Sequence, residues 1–173
     1  MKVSVFVGIS VDGFIARTNG DFDFLPTDGG VPNGYEEFMA TVDSLVIGRH
    51  TFDVVRKFGE WPYGTKPLVI LSSRPLPDTD SMPASVEWMS GDPAEIVSVL
   101  EARGIAHIYV DGGITIQRFL RSNLITSIII TRVPVLIGEG IPLFGALQHD
   151  VLLRHVHTKQ LAGGLVQSEY ALG

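Results

Sequence analysis

A chain of 173 residues with 45% hydrophobic residues can bury a core of its own, and we expect one domain over residues 1–173. Its 13 basic and 19 acidic residues give a net charge of −6 without a basic cluster, which argues against a nucleic-acid partner. The lack of cysteine excludes disulfides, thiolate metal sites and cysteine nucleophiles. The apolar run over residues 2–9 is too short for a signal peptide or a membrane span. We therefore expect a cytoplasmic protein with no membrane partner.

Short β-branched runs alternate with helical patterns along most of the chain. In chain order, the strand-like segments cover residues 2–10, 44–48, 67–73, 86–89, 105–113 and 125–138. The helical patterns cover residues 35–42, 51–58, 92–104 and 114–124. The third helix has the clearest bounds, because Asp92 is a good N-cap, Pro93 suits the first helical position and Gly104 follows the end.

The alternation predicts an α/β fold with a mostly parallel central sheet. Residues 151–172 read as two alternating strands joined near Gly163 and Gly164, so a C-terminal antiparallel hairpin should close the sheet on one side. Residues 17–34 form a loop with several glycines and two prolines. Loops of that length tend to be lids or binding loops.

Polar and glycine residues follow three predicted strands at their carboxyl ends, where open α/β sheets bind ligands. Guanidinium and hydroxyl groups beside a helix start suit a phosphate, and a double glycine lets backbone approach a pyrophosphate. Together they predict a dinucleotide site whose arginines suit the extra phosphate of NADP. The residues concerned are Gly48, Arg49, His50, Thr51, Leu71, Ser72, Ser73, Arg74, Asp111, Gly112, Gly113, Ile114 and Thr115.

Each of these features also has a purely structural interpretation. Arg49 alone is explained as well by a neighbouring carboxylate, residues 72–75 by a simple turn, and a double glycine is a weak motif. The order and spacing of all three favour the dinucleotide. His155 and His157 share one face of a predicted strand but have no third ligand, so we assign no metal.

Five motifs in register resemble those of the dihydrofolate-reductase fold. They are "SVDGFIA" (10–16), "IGRHTF" (47–52), "VILSSRP" (69–75), "YVDGG" (109–113) and "PVLIGEGIPLF" (134–144). The nearer likeness is to the reductase domain of the bacterial bifunctional riboflavin-biosynthesis deaminase-reductase and its stand-alone relatives, and it covers nearly the whole chain. The resemblance implies a three-layer fold and NADPH as hydride donor.

The resemblance also implies roles for particular residues. Arg49 and Thr51 with residues 72–74 would hold the adenosine 2′-phosphate, residues 112–115 would face the pyrophosphate, and Gly8, Ile15 and Ala16 would line the nicotinamide. The loop after Ala16 would close over the nicotinamide.

The substrate side departs from both relatives. Dihydrofolate reductase needs a carboxylate early in its first helix, and here Glu36 and Glu37 lie one or two positions beyond that place. Helical geometry ranks Glu36 above Glu37, although a solvated surface pair is the stronger interpretation. The riboflavin enzyme's lysine before S-x-D-G is absent, while Thr131 matches the threonine that accompanies the folate acid. The catalytic candidates are Glu36, Asp12 and Thr131.

These features predict an NADPH-dependent reductase of a small heterocyclic substrate, pteridine-like or pyrimidine-like, or of a carbonyl compound. A weak dihydrofolate reductase and a non-catalytic NADP(H)-binding protein are the alternatives. By analogy with its reductase relatives, the chain is expected to be a homodimer.

Overall fold

The protein is described here by a computed structural model that covers residues 1–26, 33–58, 61–76 and 82–173. The strands are β1 (Lys2–Ser10), β2 (Phe14–Ala16), β3 (Ser44–Gly48), β4 (Leu68–Leu71), β5 (Val86–Met89), β6 (His107–Asp111), β7 (Ser127–Val133), β8 (Ile141–Pro142), β9 (Leu153–Gln160) and β10 (Val166–Leu172). The α-helices are α1 (Tyr35–Ala40), α2 (Arg49–Val55), α3 (Pro93–Ala102) and α4 (Gly113–Arg121).

The central sheet has the strand order β5-β4-β3-β6-β1-β7-β10-β9 within the described residues. The strands from β5 to β7 run parallel, whereas β10 is antiparallel to both β7 and β9. The predicted mostly parallel sheet and the C-terminal hairpin are therefore confirmed. Strands β1, β3, β4 and β6 are buried along most of their length because helices cover both faces of the sheet.

The core lies in two layers, one on each face of the sheet. Val5 of β1 points to the face covered by α3 and α4, where Ile96 and Phe119 are almost fully buried. Phe6 points to the opposite face, where Phe38 of α1 and Phe52 of α2 join it in a second cluster. This period-two alternation along β1 produces the three-layer architecture.

The helix predicted over residues 92–104 is confirmed at both ends. Asp92 is the N-cap of α3 and forms a capping box with Glu95, which satisfies two backbone donors of the first turn. Gly104 follows the helix with φ +84°, a conformation that favours glycine. Among the described residues no helix combines the length and the apolar composition that crossing a bilayer requires.

The bounds of several predicted elements differ from the structure. The strand predicted over residues 125–138 ends at Val133, because Pro134 has no N–H to continue a ladder. The following segment instead contributes β8, which pairs with β2 in a separate two-stranded sheet. Helix α2 begins at Arg49, directly after Gly48, two residues before the predicted start. The small sheet was missed because its strands have only three and two residues.

Candidate functional site

The carboxyl ends of β3 and β6 lie side by side and interlock through glycines. Ile47 pairs with Asp111 in the parallel ladder, so the residues that follow both strands emerge together. A Cβ atom on Gly48 would lie 2.6 Å from Thr115 Oγ1, and one on Gly112 would overlap Thr51 Oγ1. We call Gly48, Thr51, Gly112, Gly113 and Thr115 the glycine rim. Only glycine allows the two exits to approach this closely.

The start of α4 adds unpaired backbone donors to the glycine rim. Gly112 precedes the helix with φ +95° and ψ +130°, and no side chain caps the first turn. The first intrahelical bond runs from the N–H of Ile116 to the carbonyl of Gly112. The earlier N–H groups, those of Gly113, Ile114 and Thr115, have no intrahelical acceptor. The end of the helix therefore suits an anionic group.

Two guanidinium groups lie near the exits of β3 and β4. Arg49 donates to the carbonyl of Pro75 at 3.3 Å and lies 3.8 Å from the carboxylate of Asp53. Ser72 donates to the carbonyl of Arg74 at 2.7 Å and so forms a turn that leaves Arg74 exposed. Arg49 thus has the neighbouring carboxylate, and residues 72–75 have the turn, that a purely structural interpretation expects. Both arginines also place positive charge at this edge of the sheet.

A cavity of about 300 Å³ lies on the α1 and α2 side of the sheet, beside the glycine rim. Half of the predicted cofactor residues line this cavity: Gly8, Ile15, Ala16, His50, Thr51, Asp111, Gly112 and Gly113. The other half lie outside it, at the neighbouring strand exits and on α4: Gly48, Arg49, Leu71, Ser72, Ser73, Arg74, Ile114 and Thr115. The structure thus groups the predicted residues along one edge of the sheet.

The rest of the cavity wall combines aromatic and aliphatic side chains, and we call the ring-bearing residues Phe6, Phe22, Tyr35, Phe58 and Tyr63 its aromatic half. Phe6 packs edge-on against Tyr35, with ring centroids 5.4 Å apart. Phe22, from the loop after β2, packs edge-on against Phe58, which follows α2, at 5.8 Å. Phe22 belongs to the loop that was expected to close over the nicotinamide, whereas the other four were not among the predicted site residues. They come from separate segments and no local motif joins them.

Asp111 is the carboxyl group of the described cavity wall. It shares a strand face with Tyr109, an alternation that could have been read from the sequence. Burial raises the pKa of Asp111 above the usual carboxyl value, while a hydrogen bond from the N–H of Gly112 opposes the rise. The hydroxyl of Tyr109 donates to the carbonyl of Phe6 at 2.8 Å, so its proton is committed elsewhere. Asp111 therefore holds a proton to higher pH than an ordinary carboxyl group.

Two tyrosine side chains of the aromatic half lie within the electrostatic reach of Asp111. Burial, and after it the charge of Asp111, raises the pKa of Tyr35 to about 12. The same two causes, in the same order, raise the pKa of Tyr63 above its usual value. Both phenols are neutral at physiological pH and can donate a hydrogen bond to a group in the cavity.

The three catalytic candidates from the sequence do not line the cavity. Glu36 is exposed on α1. Asp12 accepts hydrogen bonds from the N–H groups of Ile137 and Gly138, which ties the turn after β1 to the loop before β8. Thr131 is buried beside Gly8 and accepts a hydrogen bond from the Gln167 side chain at 2.9 Å.

The two histidines of β9 have protein partners. The ring of His155 lies 2.7 Å from the hydroxyl of Thr158, and that of His157 lies 3.3 Å from the carboxylate of Glu169. In the part of the chain that the structure describes, no three histidine, aspartate or glutamate side chains come together in a way that could hold a metal ion.

A family model identifies the family to which the chain belongs. The profile of the RibD C-terminal domain matches residues 1–167. The chain belongs to the RibD C-terminal domain family. Among its relatives, the uncharacterized protein YwjB of Bacillus subtilis (strain 168) is 32% identical over 172 residues, which span 98% of this chain and 97% of YwjB.

Solved structures agree with this assignment. A putative riboflavin biosynthesis protein from Shewanella sp. PV-4 is 36% identical and superposes with a TM-score of 0.92, covering 100% of this chain and 99% of that one. Dihydrofolate reductase from Enterococcus faecalis, in complex with NADP(H) and RAB-propyl, superposes with a TM-score of 0.68 at 18% identity, covering 99% and 96% of the two chains. At that identity the likeness shows the fold. This member of the RibD C-terminal domain family has the dihydrofolate-reductase-like architecture.

Proposed function

We propose that this protein is an NADPH-dependent reductase of a small heterocyclic substrate, pteridine-like or pyrimidine-like. The observation that carries the proposal is the glycine rim, where two strand exits interlock so closely that a Cβ atom on Gly48 or Gly112 would fill the gap. Glycine backbone with small hydroxyl side chains, beside a helix N-terminus whose first N–H groups have no intrahelical acceptor, is suited to a pyrophosphate. Membership of the RibD C-terminal domain family supports the same activity.

The residues around the rim fit the remaining parts of NADPH. Arg49 and Arg74 would meet the 2′-phosphate with charge-assisted hydrogen bonds, together with the hydroxyls of Ser72 and Ser73. Gly8 lies at the cavity wall, where a Cβ atom would meet only the flexible side chain of Leu25, at 2.8 Å. Nicotinamide would enter the cavity beside that glycine. When bound, NADPH supplies the hydride.

The chain's own residues position the substrate and supply a proton. The aromatic half excludes water and stacks against a flat ring, while the phenols of Tyr35 and Tyr63 orient its polar edge. We assign Asp111 as the general acid, because it is the carboxyl group of the described cavity wall and burial raises its pKa above the usual carboxyl value. We prefer Asp111 to Glu36 as the general acid, because Glu36 is exposed on α1 and does not line the cavity.

The proposal is tested by following NADPH oxidation by absorbance over a panel of pteridines, pyrimidines and aldehydes, with dihydrofolate included. We expect turnover with at least one uncharged heterocycle and slower or no turnover with NADH. Saturable NADPH binding without turnover on any compound would instead support a non-catalytic NADP(H)-binding protein. If NADPH neither bound nor was oxidised, the proposed function would be wrong.

A further inference from the structure

The cavity wall contains no arginine or lysine among its described residues. Its ionisable side chains are Asp111, His50 and the tyrosines. The two stretches outside the described residues that follow cavity residues Leu25 and Phe58 in the chain are 27–32 and 59–60. Their sequences, TDGGVP and GE, contain no arginine, lysine or histidine. The charged side chains of these stretches are the carboxylates of Asp28 and Glu60.

Of the cations near the cavity, Arg17 and Lys66 are engaged outside it, while Lys159 Nζ lies 3.6 Å from the position of a Cβ atom on Gly34, next to Tyr35, and does not line the described wall. Arg17 forms an ion pair with Asp23, and Lys66 donates to the carbonyl of Val42 at 2.6 Å. Arg49 and the exposed Arg74 lie at the exits of β3 and β4, beyond the cavity wall. Positive charge is thus concentrated at the cofactor edge and is absent from the substrate side of the described wall.

A phosphate group needs charge-assisted partners when it leaves water, since burying an unpaired anion is costly. The substrate side has a carboxyl group in place of such a partner. Whether protonated or ionised, Asp111 contributes no positive charge. His50 also lines the cavity, and its imidazole lies against the backbone of Gly20, where an added Cβ atom would be 2.5 Å from its Nε2.

The same wall is well suited to an uncharged flat ring. The faces and edges of Phe6, Phe22 and Phe58 provide stacking surfaces. Asp111 can accept hydrogen bonds from a ring N–H or an amino group in either protonation state, and the phenol of Tyr63 can donate to a ring carbonyl or nitrogen. The polar groups therefore match the edge of an amino-substituted heterocycle.

We propose that the substrate is an uncharged, amino-substituted aromatic heterocycle that carries no phosphate group, and that the absence of a cation from the aromatic half determines this specificity. The proposal rests on the proposed reductase function, since it names the ligand that occupies the cavity beside the cofactor.

The test compares matched pairs of ligands that differ by one phosphate: dihydroneopterin with its monophosphate, and cytidine with its monophosphate. Binding is measured by calorimetry with saturating NADP⁺, so that the glycine rim cannot act as the phosphate site. We expect the uncharged member of at least one pair to bind roughly tenfold or more tightly than its phosphate, because unfavourable charge placement selects against wrong partners. Equal or tighter binding of the phosphorylated member would overturn the proposal.

A lysine introduced into the wall should reverse the preference. Val54 lines the cavity, and Val54→Lys should improve binding of the monophosphate by about tenfold, whereas the uncharged control Val54→Gln at the same position should not. Pro62 also lines the cavity but is exposed, so Pro62→Lys provides the same test if Val54→Lys does not fold. A lysine that fails to improve phosphate binding in a folded variant would contradict the proposal.

Failure of this inference can be told apart from failure of the proposed function, because NADPH binding is titrated on the same samples. NADPH binding combined with a preference for the phosphorylated ligands would overturn the substrate class alone. Selective binding of an uncharged ring without NADPH binding would overturn the reductase function and keep the ligand class. If NADP⁺ binds and neither member of either pair does, the assignment of a heterocycle to the aromatic half is wrong.

Discussion

The glycine rim and the aromatic half of the cavity are adjacent but differ in almost every physical respect. The rim offers backbone N–H groups, small side chains and two arginines just outside it. The aromatic half offers rings, phenols and the carboxyl group of Asp111, without arginine or lysine in its described wall. One region therefore suits a polyanion and the other an uncharged ring. Under the proposed function, charge separates cofactor binding from substrate recognition.

The largest expected effect comes from Asp111→Asn, which removes the acid of the cavity but keeps its shape. Turnover should fall by about 10²-fold or more, since general acid catalysis commonly contributes about 10² to 10⁴. In the wild type kcat/KM should fall as pH rises through the raised pKa of Asp111, because the protonated form is then lost. The Asp111→Asn variant should not show this fall of kcat/KM with rising pH. A pH profile of NADPH oxidation with both proteins measures this.

If kcat/KM of Asp111→Asn fell with rising pH as it does in the wild type, a group other than Asp111 would supply the proton. Loss of folding would not explain the expected result, because an amide avoids the cost of burying a carboxylate. Thermal melts of both proteins provide the control.

The next largest effect is expected from Gly112→Ala at the glycine rim. Its φ of +95° is strained for alanine, and the added Cβ would overlap Thr51 Oγ1. We expect stability to fall by about 1–3 kcal/mol and NADPH affinity to fall by about tenfold or more. The matched control is Gly104→Ala, with φ +84° and nothing within 4 Å of the added Cβ. Gly104→Ala should lower stability through backbone strain and leave NADPH affinity unchanged. An equal loss of NADPH affinity in Gly104→Ala and Gly112→Ala would show that the glycine rim has no special role in cofactor binding.

Arg49→Ala should separate the two nicotinamide cofactors. A charge-assisted contact to the 2′-phosphate exists only with NADPH, so its loss should cost roughly 1.5 to 3 kcal/mol for NADPH and little for NADH. The pair with Asp53 is partly exposed and contributes little to stability. Lys57→Ala, an exposed cation just beyond α2, is the control. Equal losses for both cofactors would mean that Arg49 serves the fold.

The smallest effect is expected from Glu36→Gln. Glu36 is exposed and does not line the cavity, and surface substitutions of this kind usually change stability by no more than about 0.5 kcal/mol. Turnover on the true substrate should change by less than about twofold by the same argument. A tenfold loss of turnover would mean that the general acid is Glu36 on α1 and not Asp111 on β6, which is the position expected from dihydrofolate reductase.

The glycine rim could be predicted from the sequence because it is built from contiguous residues. Gly48 to Thr51 and Gly112 to Thr115 each follow a buried strand, and parallel pairing then places both at one edge. Helix α3 was predictable for the same reason, since Asp92 and Pro93 mark its start locally. Backbone-based features of this kind leave a local signature.

The aromatic half could not be predicted because it depends on how distant segments pack. Tyr35 of α1 packs against Phe6, but its place in a cavity wall depends on residues as distant as Phe58 and Tyr63. Helical spacing ranked Glu36 as an acid, yet spacing alone does not fix where α1 lies over the sheet. Side chains assembled from separate elements leave no local signature.

The separation of cofactor and substrate binding is tested most directly by a calorimetric titration of NADPH and dihydroneopterin into two variants, Arg49→Ala and Phe58→Ala. Phe58 is 43% exposed, so its removal should spare the fold while removing a stacking surface. We expect Arg49→Ala to weaken NADPH binding at least about tenfold and leave the pterin unchanged. Phe58→Ala should weaken the pterin by about tenfold and leave NADPH unchanged. If each variant weakened both ligands equally, the cofactor and substrate regions would not be separate and the account would be contradicted.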